Sequence, residues 1–193
     1  MCSSDLLVAG VEKAKDDDSE SIITAGRYDA IADIIENAAY YGADDIAEVV
    51  GIDIDAYNII TMRNLVHLEQ KTPQMLLELK KQLNARGVLF AIKGVFKDED
   101  LETVKLVKPD IVYVSNHGGR VETREGSTAS FLAQNATLLK GSCYRLWVDG
   151  GIRLSSQMRK ASSYGVDTVL LGRPIVSALC SERAGEERPV LQA

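Results

Sequence analysis

Three short apolar runs in this chain end in the same way, and that recurrence constrains the fold more than any other feature. Ile111-Val112-Tyr113-Val114 passes into Ser115-Asn116-His117-Gly118-Gly119-Arg120, Leu146-Trp147-Val148 into Asp149-Gly150-Gly151-Ile152-Arg153, and Val169-Leu170-Leu171 into Gly172-Arg173-Pro174. Continuous, β-branched runs of this length suit strands buried on both faces. Glycine and arginine at their exits place free backbone N–H groups and cations at the carboxyl ends of strands, where α/β folds build their sites.

Apolar runs near Ser21–Thr24, Glu48–Ile54, Val88–Ile92, Ile111–Val114, Arg145–Val148 and Thr168–Leu171 alternate with segments of helical period. Ile31, Ile34, Ile35, Ala38 and Ala39 follow i, i+3, i+4 spacing, as do Met75, Leu76, Leu79 and Leu83, and then Leu101, Val104 and Val107. Thr72-Pro73 and Asp98-Glu99-Asp100 are helix starts, and Gly42, Gly87, Gly141 and Gly165 stand where helices end. A β/α order repeated about six times predicts a parallel sheet in one domain spanning residues 1–193. The 193 residues fall short of a complete eight-stranded barrel, which takes about 250.

Charge and composition exclude several functions. The 22 Lys and Arg against 28 Asp and Glu give a net charge of -6, unsuited to nucleic acid or to an anionic membrane surface. No apolar run approaches the roughly 20 residues of a membrane span, and Met1-Cys2-Ser3-Ser4-Asp5 lacks the basic region of a signal peptide, so a cytoplasmic location is expected. Cys2, Cys143 and Cys180 are widely spaced and form neither a disulfide framework nor a zinc motif. The charge runs Asp16–Asp18 and Glu182–Arg188 read as solvated loop and tail.

No GxGxxG follows an early strand, so the closed barrel is favoured over the dinucleotide-binding sheet. The barrel binds phosphate after its last two strands, the places taken here by Asp149–Arg153 and Gly172-Arg173. N–H groups at Gly150, Gly151 and Gly172 can approach phosphate oxygens, Arg153 and Arg173 supply charge, and Pro174 suits the first turn of a helix. The plainer alternative is that these glycines only make turns and the arginines only cap carbonyls.

Lys93, the Ser115–Arg120 segment, Asp149–Arg153 and Gly172-Arg173-Pro174, in this order and spacing, resemble the FMN-dependent 2-hydroxy-acid oxidase/dehydrogenase family, to which glycolate oxidase and lactate oxidase belong. The resemblance runs from about Glu36 to Ala178. It implies a (β/α)8 barrel that holds FMN and oxidises a small 2-hydroxy acid to the 2-oxo acid. By that resemblance His117 is the catalytic base, Arg120 the anchor of the substrate carboxylate, and Lys93 the cation at the pyrimidine end of the flavin. Ser115 then bonds the flavin, while Asp149, Gly151, Arg153, Gly172 and Arg173 grip the phosphate and ribityl chain. An aspartate after the Val49–Ile52 run pairs with the family's histidine. Asp53 and Asp55 both stand there, Asp55 is the choice by alignment, and the two carboxylates are expected to point to opposite sides.

The chemistry fits the residue types. Oxidising a hydroxy acid needs a base, a carboxylate anchor and an electron sink, for which an imidazole, a planar guanidinium and a flavin are suited. Other residues read more simply: His67 and Arg63 as surface groups, Trp147, Phe90 and Met75 as core. Tyr28, Tyr40, Tyr41 and Tyr57 include no phenol that can be assigned to substrate.

The chain departs from the family in length. With about six of eight β/α units it is expected to be an incomplete barrel: a fragment of a longer protein, an inactive remnant that keeps a phosphate/FMN site, or a subunit completed by a second copy or a complementing chain. The substrate's side chain and the electron acceptor are not readable from the sequence.

Overall fold

The alternation of apolar runs and helical periods folds as a parallel sheet. The computed structural model describes residues 22–25, 49–58, 70–121 and 124–183. Strands β1 (Ile22–Ala25), β2 (Val49–Asp53), β3 (Leu89–Val95), β4 (Ile111–Val114), β5 (Arg145–Val148) and β6 (Thr168–Val169) lie side by side in chain order, and every adjacent pair is parallel. Helices α1 (Pro73–Asn84), α2 (Asp98–Val107), α3 (Thr128–Lys140) and α4 (Ser155–Ser163) lie between successive strands from β2 onward, and α5 (Arg173–Arg183) follows β6. The helix expected over Ile31–Ala39, with Gly42, lies outside the described residues, as do His67, Arg63, Tyr28, Tyr40, Tyr41 and Cys2. Among the described residues no helix is long and apolar enough to cross a membrane.

Alternation along the strands sorts the core into two faces. Val50, Ile52, Phe90, Ile92, Val112, Val114, Leu146 and Val148 pack with the helical stripes Leu76-Leu79-Leu83, Leu101-Val104-Val107 and Phe131-Leu132-Leu139. The intervening residues Val49, Ala91, Ile111, Tyr113 and Trp147 form a separate cluster. Phe90 and Trp147 are thus both core, on opposite faces. Met75 is only half-buried, and its sulfur accepts from the Thr72 N–H while the Thr72 hydroxyl accepts from the Met75 N–H, so this stripe residue also closes the helix cap.

Two aspartates lock strand entry by the same device. Asp110, one residue before β4, accepts from the Phe90 N–H of β3 at 2.8 Å, and Asp167, one residue before β6, accepts from the Leu146 N–H of β5 at 2.7 Å. Each satisfies a backbone donor that its shorter neighbouring strand leaves open.

Two boundaries differ from expectation. Lys93 does not end its strand: β3 continues to Val95, through a register shift between Lys93 and Val95 at Gly94, whose φ is +89°. At the other end, β6 stops at Val169, although the Leu170 N–H still donates to Val148 O at 2.9 Å before the chain turns at Gly172.

Candidate functional site

Because side chains alternate, Asp53, Lys93, Tyr113 and Asp149 fall at the carboxyl ends of successive strands on the face that carries Val49, Ala91, Ile111 and Trp147. Asp53 and Lys93 are register partners, as are Lys93 and Tyr113. The Lys93 ammonium bonds Asp53 Oδ1 at 2.7 Å and lies 5.6 Å from the centre of the Tyr113 ring.

His117 reaches this group from the loop after β4. Its backbone is left-handed, at φ +50°, and Gly118 and Gly119 continue in that region at +67° and +83°. Such a run turns the chain sharply at the strand end, and a histidine held at positive φ is the kind of outlier that functional sites retain. Ser115, fully buried, accepts the His117 N–H at 3.2 Å, and Arg120 Nε donates to His117 O at 2.8 Å.

The imidazole sits among charges. Nδ1 lies 2.7 Å from Asp55 Oδ2, and Nε2 lies 2.8 Å from Lys93 Nζ and 3.6 Å from Asp53 Oδ2. A carboxylate accepts only, so Nδ1 carries the proton in this bond; an ammonium donates only, so its contact with Nε2 is to a lone pair. The expectation that Asp53 and Asp55 diverge is corrected: both carboxylates converge on one imidazole. Positions two apart share a face of a strand, and Asp55 lies just beyond the end of β2, where the chain bends over the ring. Gly94 makes the room, since a Cβ there would stand 2.1 Å from Asp55 Oδ1.

Burial pulls the imidazole pKa down, but the hydrogen bond to Asp55 and the facing Asp53 carboxylate outweigh it and the opposing Lys93 charge, holding His117 at about 9. Burial pushes Asp55 up, whereas for Asp53 the nearby His117 ring and the Lys93 charge overcome burial and bring it down. Burial and the adjacent Asp149 push the Tyr113 phenol well above its ordinary range, so it donates, giving its proton to Asp149 Oδ2 at 2.9 Å.

Beside His117 opens a cleft of about 260 Å³. His117, Lys93 and Arg120 line it together with Asp149, Gly150, Gly151, Arg153, Gly172 and Arg173, and Ile152, Leu170, Leu171 and Pro174 add apolar surface. Ser115 is not among the lining residues and faces the His117 backbone. Gly150 and Gly151 turn at φ +94° and +78°, and a Cβ at Gly150 would stand 2.7 Å from Asn116 Oδ1 and 3.0 Å from Thr128 Cγ2. Arg173 Nη2 donates to Gly118 O at 2.8 Å, joining the α5 end of the cleft to the histidine loop. Gln157 Oε1 takes the N–H groups of Arg153 and Leu154, so in this arrangement the cationic side chains supply the charge toward the cleft at α4.

The cleft fits FMN on two counts. Asp149 Oδ1 is buried on its wall without a hydrogen-bond partner, an acceptor that a ligand hydroxyl would satisfy. Added Cβ atoms at Gly151 and Gly172 would meet nothing within 4 Å, leaving those backbones open beside two arginines, as a phosphate requires.

A model of the family described as FMN-dependent dehydrogenase matches residues 29–190. The chain belongs to that family. Among curated relatives, this FMN-dependent dehydrogenase family member is 37% identical over 91 residues to an L-lactate dehydrogenase of Vibrio parahaemolyticus, covering 47% of this chain and 24% of the relative. It is 35% identical over 88 residues to a 2-hydroxyacid oxidase of Dictyostelium discoideum, covering 46% and 22%. Its fold matches a mandelate oxidase solved with (S)-2-phenylpropionate at a TM-score of 0.66 and 21% identity, over 84% of this chain and 52% of the oxidase. The chain therefore spans about half of that solved structure, and its parallel sheet corresponds to part of a barrel.

Two residues of the site escape a reading of the sequence: Tyr113 is hidden in an apolar run, and only its pairing with Lys93 puts it on that face, while Gly94 follows Lys93 without a motif. Asp53 is legible as a candidate beside Asp55, but its place at the ring is not. Strand alternation is the signal for Tyr113 and Asp53, once the pairing with Lys93 is known, whereas Gly94 sits at the register shift and carries none.

Proposed function

We propose that this chain carries the FMN-holding and base-bearing part of an enzyme that oxidises a small 2-hydroxy acid to the 2-oxo acid. The observation that carries the reading is the His117–Asp55 bond at 2.7 Å beside a cleft that Arg153 and Arg173 also line. FMN bound in the cleft supplies the two-electron acceptor.

Arg153 and Arg173 would hold the phosphate, and Asp149 Oδ1 a ribityl hydroxyl. Arg120, exposed in the cleft and fixed at Nε by His117 O, keeps its terminal N–H groups for the substrate carboxylate. His117 Nε2 takes the hydroxyl proton while Asp55 fixes the tautomer and stabilises the imidazolium. With the hydroxyl proton on His117, conversion to the oxo acid would also require the C2 hydrogen and two electrons to be taken up, the acceptor chemistry that FMN would supply. Lys93 must yield the Nε2 lone pair to substrate, and its bond to Asp53 gives it a place to stay.

A second reading is a phosphate-binding remnant without turnover, which would keep the cleft lined by Arg153 and Arg173. Titrating the purified protein with FMN separates both from a non-binding fragment. The proposal requires saturable uptake, with flavin fluorescence quenched, and loss of uptake in the Arg153→Ala, Arg173→Ala double variant. A protein that takes up no FMN contradicts both readings.

A further inference from the structure

The imidazole has one carboxylate more than a histidine–aspartate pair needs, and the extra one faces its reactive nitrogen. We infer that Asp53 is a second positioning carboxylate, which keeps the Lys93 ammonium on Oδ1 and receives the new Nε2–H on Oδ2 when His117 becomes protonated. The inference rests on the reading of His117 as the base.

The geometry presents a problem that Asp53 solves. With the Nδ1–H committed to Asp55, the Nε2 lone pair accepts from Lys93 at 2.8 Å. Once Nε2 gains a proton, that contact sets two donors and two positive charges against each other, and it must open. Lys93 rises from β3 over the Tyr113 ring, with Asp53 Oδ1 already bonded at 2.7 Å, so it has an anchor on which to pivot away. Asp53 Oδ2 stands 3.6 Å from Nε2, and a shift of less than about 1 Å brings it to hydrogen-bond length. Asp55 cannot take this part, since its contact is with the opposite ring nitrogen.

The other groups around the loop are accounted for. Tyr113 is committed to Asp149, Arg120 donates to the His117 carbonyl, and Arg173 donates to the Gly118 carbonyl. Among the described residues, Asp53 is therefore the acidic group placed to receive from Nε2. The lowered pKa of Asp53, and the part its carboxylate plays in raising that of His117, agree with this geometry.

Two histidines, His67 and His117, make the proton directly readable by NMR. In the ligand-free protein, Asp53→Asn is expected to lower the His117 midpoint by about one unit or more, while Asp53→Glu recovers most of the shift. In the unsubstituted protein the Asp53 13Cγ resonance should inflect at the same midpoint as His117. A His117 midpoint unmoved by Asp53→Asn overturns the inference, as does an Asp53 carboxylate that does not sense the titration, a measurement that needs no variant to fold. If the shifts appear but no 2-hydroxy acid reduces the flavin, Asp53 keeps this role and the oxidase reading fails.

Discussion

Gly94 and Asp55 compete for one space: a Cβ on Gly94 would lie 2.1 Å from Asp55 Oδ1 and 2.3 Å from its Cγ. The bulge that ends β3 is thus what lets Asp55 stand behind the imidazole. Gly94 also has φ +89°, so a side chain there is strained as well as crowded.

Gly94→Ala is expected to displace Asp55 and release Nδ1 of His117. The loss of stability should be about 2 kcal/mol, read by urea unfolding. Flavin reduction by substrate should fall about 100-fold, with FMN uptake little changed. A variant that keeps both stability and reduction rate removes the bulge from the site.

His117→Ala and the arginine variants should separate chemistry from binding. His117→Ala is expected to abolish reduction of the flavin by hydroxy acid while FMN affinity stays within about twofold, since no phosphate contact is lost. Arg153→Ala or Arg173→Ala should instead weaken FMN by about 10- to 100-fold, the worth of a charge-assisted bond. Fluorescence titration and anaerobic stopped-flow absorbance read the two effects separately.

Much of this was legible in the strand ends. Three Gly/Arg exits marked the cleft because backbone turns and cations leave a local signature, and Arg120, Asp149, Gly151, Arg153, Gly172 and Arg173 all line it. The runs of β2 to β5 were legible because strands largely buried on both faces are continuously apolar. The ring's surroundings were not: whether Asp53 and Asp55 converge depends on where β2 ends and on the bulge at Gly94 opposite, which are facts of pairing between strands. Nor was the extension of β3 past Lys93, because a glycine within an apolar run reads equally as bulge or terminus.

The pH dependence follows from His117. Its pKa, about 9, lies above the ordinary histidine value of 6.5, and the base must be neutral to accept a proton, so the rate of reduction should rise with pH toward that value. Asp55→Asn removes one carboxylate that holds the pKa up, and the rise should move to lower pH while the plateau falls. Stability has the opposite sign: the raised histidine pKa contributes fully below pH 6.5, and that contribution is lost as pH rises through about 9. Rates and unfolding free energies measured from pH 6 to 10 test both signs.

Asp100 gives an independent check away from the cleft. Its Oδ2 accepts the N–H groups of Phe96 and Lys97 at 2.9 and 3.0 Å, capping α2, while burial raises its pKa from 3.8 to about 6. Asp100→Ala leaves two donors unpaired and should cost about 2 kcal/mol. Asp100→Asn keeps an acceptor and removes the buried charge. A raised carboxyl pKa gives stability that is present below 3.8 and lost as pH rises through about 6, so Asp100→Asn should compare more favourably with the native protein at pH 7 than at pH 5. Equal differences at the two pH values contradict the assignment.

The most direct test of the account is an anaerobic absorbance spectrum of the FMN-loaded protein before and after addition of lactate or glycolate. Bleaching of the flavin bands at a rate that follows hydroxy-acid concentration, absent in His117→Ala, is the expected result. Flavin bands that persist with the native protein, under conditions where dithionite bleaches them, would contradict the claim that this site oxidises 2-hydroxy acids.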